Sequence, residues 1–247
     1  MKNSVMAIVT GHTHGLGRAI AHALLQRHIP VLGIARGTSV DLGTQYPDIC
    51  LQVQISLDDA SVIANWLSTP VLQAFLDDCS EILLINNAGI VQPVGALLDQ
   101  DPLEVARAVT LNVTAPLMLA AAVVRATEGK QRRILHISSG AGRNAYPGWS
   151  VYCATKAALD HHARAVALDA QAGVRICSLA PGVIDTGMQA AIRATPDARF
   201  PMRQRFVDMK LHGELATAQN SAELVVDYLL SDVFGDNPVE DIRSVAR

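Results

Sequence analysis

The chain has 247 residues, 50% of them hydrophobic and 17% charged, with a formal net charge of −3. This composition supports a large buried core, and the absence of any basic run argues against a nucleic-acid partner. Cys50, Cys79, Cys153 and Cys177 are scattered without a Cys-x-x-Cys pair, which argues against a disulfide framework or a metal site and fits a reducing cytoplasm.

Val5–Val9 is a short apolar run rich in β-branched residues and reads as a buried strand. It breaks at Thr10-Gly11, too soon for a signal sequence or a membrane span. Thr10-Gly11-His12-Thr13-His14-Gly15-Leu16-Gly17 follows, and then a helical pattern from Arg18 to about Gln26. Strand, glycine-rich turn and helix in that order form the context of a dinucleotide site. Gly11 permits the tight turn, Gly15 lets the backbone approach a pyrophosphate, and Gly17 allows close packing of helix on strand, with the helix N-terminus facing the anion.

Val31–Ala35 reads as the second strand and ends at Arg36-Gly37. An acid at this strand end would hold a ribose hydroxyl, whereas an arginine suits a 2′-phosphate. Arg36, with His14 as a further donor, therefore predicts NADP(H) over NAD(H). Gly37, Gly43 and Pro47 make the second crossover short or irregular. A third strand is expected over Ile49–Ile55, helix over Asp58–Phe75 with a break at Pro70, and a fourth strand over Glu81–Asn86. The fourth strand runs into Asn87, Ala88 and Gly89, small or amide residues that suit a crevice at a strand's carboxyl end. A long helical pattern from Pro102 to Ala126 contains Asn112 and Pro116, which predict a kink. Arg133–Ile137 and Val174–Leu179 read as strands five and six, and Val239–Ile242 as a last short strand. Strands alternating with helices imply an α/β fold: a three-layer, doubly wound parallel sheet of about seven strands, of Rossmann type, in one domain spanning 1–247.

Between strands five and six, a helix beginning at Ser150 carries Tyr152 and Lys156. Positions i and i+4 share a helix face, so phenol and ammonium point the same way. A free tyrosine has a pKa of about 10, and a fixed cation nearby favours the phenolate and is expected to lower that value. Such a tyrosine exchanges a proton with a carbonyl or an alcohol. All these candidates fall at strand carboxyl ends or at the start of the next helix, where such sheets bind ligands.

The Thr10–Gly17 motif, Asn86-Asn87-Ala88-Gly89, Asn112, Ser139 thirteen residues before Tyr152, Tyr152-x-x-x-Lys156 and Pro181-Gly182 together resemble the short-chain dehydrogenase/reductase family over nearly the whole chain. Within it, Gly148-Trp149-x-x-Tyr152-Cys153-x-x-Lys156-Ala157-Ala158 and Ala180-Pro181-Gly182-x-x-Asp185-Thr186-x-Met188-Gln189 are similar to the sepiapterin and benzil reductase branch, as are Leu211-x-Gly213-x-Leu215 and Asp232-x-Phe234. The resemblance implies an NADPH-dependent reductase of small or aromatic ketones or diketones. It makes Tyr152 the acid–base group, and Lys156 the residue that lowers its pKa and binds the nicotinamide ribose. Ser139 would hold the substrate carbonyl, and Asn112 a water that relays protons from Lys156. Thr13, Leu16, Val183 and Thr186 join the glycines, Arg36, Asn87–Gly89 and Pro181-Gly182 in the cofactor set. Gln54 departs from the family, standing where an acid usually contacts the adenine.

On the substrate side the resemblance implies a lid over 187–218, with Met188 and Trp149 walling the pocket and Asp241 anchoring a polar substrate. It implies a homodimer, or a homotetramer, through the helices over 102–126 and 150–170. No metal, nucleic acid or membrane is expected. Two other readings remain open: a catalytically silent NADP(H)-sensing protein, and an NAD-linked alcohol dehydrogenase or 3-oxoacyl-carrier reductase of the same fold.

Overall fold

The structure, a computed structural model, describes residues 5–245. Seven strands form one parallel sheet: β1 (Val5–Thr10), β2 (Val31–Ala35), β3 (Cys50–Gln54), β4 (Glu81–Asn86), β5 (Gln131–Ile137), β6 (Val174–Ala180) and β7 (Val239–Asp241), in the order β3-β2-β1-β4-β5-β6-β7. β1 pairs with β2 on one side and with β4 on the other. The chain therefore reverses direction across the sheet between β1 and β4, the point at which doubly wound sheets open a crevice.

Helices cover both faces, which is why the central strands read as continuous apolar runs rather than alternating ones. On one face α1 (Gly15–Gln26) and α10 (Ala218–Leu230) pack over Ala7, Val9, Leu83, Ile85 and Leu135. On the other, α3 (Ala60–Leu67), α4 (Val71–Leu76), α6 (Ala115–Ala126) and part of α7 (Ser150–Leu168) cover Ile8, Ile82, Leu84, Ile134 and Ile176. The period of two along each strand sorts these residues between the layers. The remaining helices are short: α2 (Val40–Gln45), α5 (Pro102–Val109), α8 (Gly187–Ala194), α9 (Arg203–Leu211) and α11 (Ile242–Val245).

The second crossover holds only the six-residue α2, as the Gly and Pro content predicts. Pro70 separates α3 from α4 and caps the latter. The long pattern over 102–126 is interrupted, but by a π-helical turn over Thr110–Thr114 with Asn112 at its centre. Pro116, which has no N–H to donate back into the helix, comes just after this turn. Among the described residues, Pro102–Ala126 alone has the length and apolar composition of a membrane span. Here it is a core segment, α6 packing against α3, α4, β4 and β5.

The tightest packing lies where α1 leaves β1. A Cβ on Gly17 would stand 2.3 Å from the Gly11 carbonyl oxygen and 2.2 Å from the Asn87 amide nitrogen. Backbone on one side leaves no room to yield. Gly17→Ala is therefore expected to cost about 1–3 kcal/mol, read as a lower thermal midpoint by circular dichroism; an unchanged midpoint would contradict this packing.

Candidate active site

One cavity of about 680 Å³ opens along the carboxyl edge of the sheet. Its floor is the turn from β1 into α1. Gly11 and Gly15 sit at φ +69° and +56°, left-handed conformations that favour glycine. Thr10 Oγ1 accepts from the backbone N–H groups of Asn87 and Ala88 at 2.9 and 3.0 Å, and the Asn87 amide donates back to the Thr10 carbonyl at 2.9 Å. The two strand ends are thereby joined with their backbone groups satisfied. Thr13, His14, Gly15, Leu16 and Gly17 line the cavity from this turn, Ala88 and Gly89 from the end of β4, and Pro181, Gly182, Val183 and Thr186 from the end of β6. Gly11, Asn87, Tyr152 and Lys156 are in the same lining, so the structure gathers the whole expected cofactor set around one space.

Arg36 reaches the cavity exposed at the end of β2. The position of its turn is set by His12, whose role the sequence does not reveal. His12 is fully buried over Gly33, where a Cβ would lie 2.5 Å from the imidazole ring. Its Nε2 is 2.8 Å from Gln52 Oε1, and Gln52 bonds both the N–H and the carbonyl of Ser39. Burial lowers the His12 pKa, with the Gln52 bond opposing, so the ring stays neutral. Gln54 is exposed and outside the cavity lining; Ser56, Leu57 and Asp58 line that end instead. Asp58 bonds Ser56 and takes Arg107 Nε at 2.6 Å, so this acid is already paired. Its carboxyl is held below the ordinary range by the Ser56 bond first and by Arg107.

Ser139 lies just past the end of β5 and caps a short 3₁₀ turn, its Oγ accepting from Ala141 N–H at 3.1 Å. Tyr152 and Lys156 enter from the first two turns of α7. The Ser139 hydroxyl lies beside the Tyr152 phenol and favours its ionised form. The Lys156 ammonium donates to the Ile137 carbonyl at 2.7 Å and lies 5.7 Å from the centre of the tyrosine ring. The three side chains therefore converge. The expected fall in the tyrosine pKa is not found: burial pushes Tyr152 up to about 12, outweighing the Ser139 hydroxyl, which pulls it down. Burial also draws Lys156 down to about 8, against the Asp160 charge, which raises it. The physical reason is desolvation, which disfavours the charged form of either group.

Asn112 is outside the cavity lining, directly behind it. Its amide donates to the Ile90 carbonyl at 2.8 Å and to Thr155 Oγ1 at 3.1 Å, and its oxygen accepts from Ile90 N–H at 2.9 Å. It thus pins the strand end beside Gly89, where a Cβ would sit 3.2 Å from Asn112 Oδ1 and 3.7 Å from Lys156 Nζ.

Trp149 and Met188 both line the cavity. Trp149 is stacked on Phe200 with ring centres 4.6 Å apart and meets Tyr152 edge-on at 5.4 Å. Phe200 and Phe206 are buried behind it and do not reach the cavity, so these two residues of the 187–218 segment support the wall rather than form it. The inner face of α8 adds Ala191 and Ile192 to Met188, an i, i+3, i+4 set that helical periodicity in the sequence could have revealed. Asp241 is not brought to the site. Its carboxylate is held by Arg243 through the backbone N–H at 3.0 Å and the guanidinium at 2.6 and 2.8 Å, and it is absent from the cavity lining.

The glycine turn, a helix N-terminus, a guanidinium at the second strand end and a convergent Ser, Tyr and Lys fit a nicotinamide dinucleotide. The profile of the short chain dehydrogenase family matches residues 5–197. The chain is 33% identical over 240 residues to a benzil reductase ((S)-benzoin forming) of Bacillus cereus, covering 94% of this chain and 96% of that protein. It is 29% identical over 245 residues to the sepiapterin reductase of Xenopus tropicalis, covering 94% and 93%. A crystal structure of a short-chain dehydrogenase/reductase from Burkholderia vietnamiensis is 47% identical, covers 99% of this chain and 100% of its own, and superposes with a TM-score of 0.72. The chain belongs to the short-chain dehydrogenase/reductase family, nicotinamide-dependent oxidoreductases that act between C–OH and C=O groups.

Proposed function

We propose that this protein is an NADPH-dependent carbonyl reductase of small or aromatic ketones and diketones, acting in the cytoplasm. The observation that carries this reading is the convergence of Ser139, Tyr152 and Lys156 at one end of a cavity whose other end carries Arg36. The similarity to benzil and sepiapterin reductases supports a carbonyl substrate with an aromatic or second oxygen-bearing group. The apolar wall of Trp149, Met188 and Ile192 suits such a molecule.

Bound NADPH supplies the hydride. The glycine turn and the N-terminus of α1 bind its phosphates, and Arg36 holds the 2′-phosphate in its planar fork. Asp58 does not oppose this, because Arg107 already neutralises it. Ser139 donates a hydrogen bond to the substrate carbonyl oxygen and steadies the charge that grows there. Tyr152, kept protonated by burial, gives its phenolic proton to that oxygen. Lys156 holds the ribose and keeps a positive charge beside the phenol as the proton leaves. Asn112 fixes the backbone at Ile90, so that Gly89 leaves room for the ammonium.

The 187–218 segment acts as a lid on a single-domain body. Its base is strapped down where Ile184 pairs with Ala216 and Lys210 meets Asp185 at 2.5 Å. The exposed small residues Ala154 and Ala157 on α7 suit the close approach of a second copy in a homodimer, with a homotetramer as its extension. The intact Ser, Tyr and Lys set weighs against a catalytically silent cofactor sensor, Arg36 against an NAD-linked alcohol dehydrogenase, and the similarity to benzil and sepiapterin reductases against a 3-oxoacyl-carrier reductase of the same fold.

Three outcomes are expected with NADPH and a 1,2-diketone such as benzil. Tyr152→Phe lowers kcat by about 10²–10⁴-fold while fluorescence titration still shows NADPH binding; retained turnover would remove the acid from Tyr152. Arg36→Asp lowers the NADPH to NADH ratio of kcat/KM by at least about tenfold, the loss of a charged hydrogen bond; an unchanged ratio would refute the cofactor assignment. Because Lys156 loses its proton near pH 8, kcat/KM for reduction falls as the pH rises through that value, and a profile flat to pH 10 would contradict it.

A further inference from the structure

Ser139 reaches the cavity from the segment that joins β5 to α7, whereas Tyr152 and Lys156 stand on α7 itself. The two pieces must be held in register, because a reacting group displaced by about 1 Å loses much of its effect. Asp160 provides the tie. It follows Tyr152 and Lys156 at intervals of four along α7, so the three share a helix face. Its side chain is buried at 1% exposure. One carboxylate oxygen accepts from Ser138 Oγ and from Ser178 Oγ, each at 2.7 Å, and the other from Arg143 Nε at 3.2 Å. Ser138 immediately precedes Ser139, and Arg143 closes the 3₁₀ turn that Ser139 opens, so one carboxylate grips both ends of the serine's turn. The same two residues are fastened to the sheet. Ser138 N–H donates to the Leu179 carbonyl on β6 at 2.8 Å, and Arg143 to the Glu240 carbonyl on β7 at 2.8 Å. A buried carboxylate is tolerated only when paired and hydrogen-bonded, and these donors meet that condition.

The turn lies directly on α7 between Lys156 and Asp160. A Cβ on Gly142 would stand 2.9 Å from Asp160 Oδ2 and 3.0 Å from the Lys156 backbone, so glycine is what permits the approach. Within the turn, Ser139 Oγ accepts from Ala141 N–H, which orients the side chain and leaves the hydroxyl its own proton to donate. We infer that Asp160 is a positioning residue that acts through Ser139: it clamps the 138–143 turn to the helix carrying Tyr152 and Lys156, and so sets where the serine hydroxyl meets the substrate carbonyl. The inference rests on the reductase reading, in which Ser139 holds that carbonyl. Asp160 is itself outside the cavity lining, so it reaches the reaction through the residues it holds.

A double-mutant cycle on the full-length protein, with NADPH and benzil, tests this. Asp160→Asn keeps the shape and still accepts from both serines, but it turns an amide toward Arg143 and frees that end of the turn. Ser138→Ala frees the other end and keeps the carboxylate. Each is expected to lower kcat about 10–100-fold, the effect of a misplaced group, while fluorescence titration shows NADPH binding as in the parent. Ser139→Ala removes the hydroxyl itself and lowers kcat about 10²–10³-fold. In the Ser139→Ala background neither Asp160→Asn nor Ser138→Ala is expected to lower kcat further, because no hydroxyl remains to be placed. A purely structural role would instead make the losses multiply. Multiplying losses, or full kcat in Asp160→Asn, overturn the inference. Should Asp160→Asn fail to fold by circular dichroism, Ser138→Ala with and without Ser139→Ala decides on the same terms. A parent protein that reduces no carbonyl compound sinks the reductase reading and the inference with it, whereas multiplying losses in an active parent sink the inference alone.

Discussion

The carboxyl edge of this sheet depends on the junction between β1 and β4. Thr10 Oγ1 accepts two backbone N–H groups from the end of β4, and Asn87 returns its amide to the end of β1. The bonds do two things together. They satisfy backbone groups that the divergence of the strands leaves without ladder partners, and they hold the crevice open at the point where the chain leaves toward opposite faces of the sheet. The Asn87 amide occupies the space that a side chain at residue 17 would need. Threonine, asparagine and glycine at these positions are thus one device, and the cradle for an anion at the start of α1 follows from it.

Burial then determines the electrostatics of the reacting groups. The same exclusion of water raises Tyr152 to about 12 and lowers Lys156 to about 8. Each shift favours the uncharged form, so at neutral pH the phenol is firmly protonated while the ammonium keeps its charge by a narrow margin. For the proposed reduction the phenol is thus in the protonated form that a proton donor needs, with a cation beside it to steady the phenolate that remains. The fold therefore needs no ionised tyrosine at rest. On the proposed reading, activation would come from differential stabilisation as charge develops, the interactions that count being those stronger in the transition state than before it.

Most of this was legible in the sequence because it lies in local patterns. Strand, glycine turn and helix are contiguous, and Tyr152 and Lys156 are linked by helical period, so their placement follows from backbone geometry alone. The π-turn at Asn112 was foreshadowed only as a kink, since propensity tells that a helix will break and not how. What the sequence could not disclose depends on contacts between distant segments. His12 reads as one more loop residue until Gly33 and Gln52, from two other strands, close around it. Nothing in the sequence pairs Asp58 with Arg107, which reaches it from α5. Asp241 looked like a substrate anchor, and its own neighbour Arg243 has claimed it. The direction of the Tyr152 shift was misjudged for the same reason, because helical spacing places the lysine nearby while burial is a property of the whole fold.

The division of labour at the substrate end follows from packing. Ser139 stands just past the end of β5 and Tyr152 and Lys156 on α7, elements anchored in the core. Trp149 is locked by its stack on Phe200 and by further ring contacts with Tyr146, Tyr152 and Phe206. An indole held on this many sides keeps its position whatever enters, so it gives the cavity a rigid wall beside the phenol. The rest of that wall is α8, eight residues long, which shares few contacts with the sheet and is tied mainly through α9 and the ion pairs of Asp185 with Lys210 and Arg193. Met188, the most adaptable side chain of that wall, faces the space where substrates would differ. Selectivity can therefore change through α8 without disturbing the geometry that moves the proton.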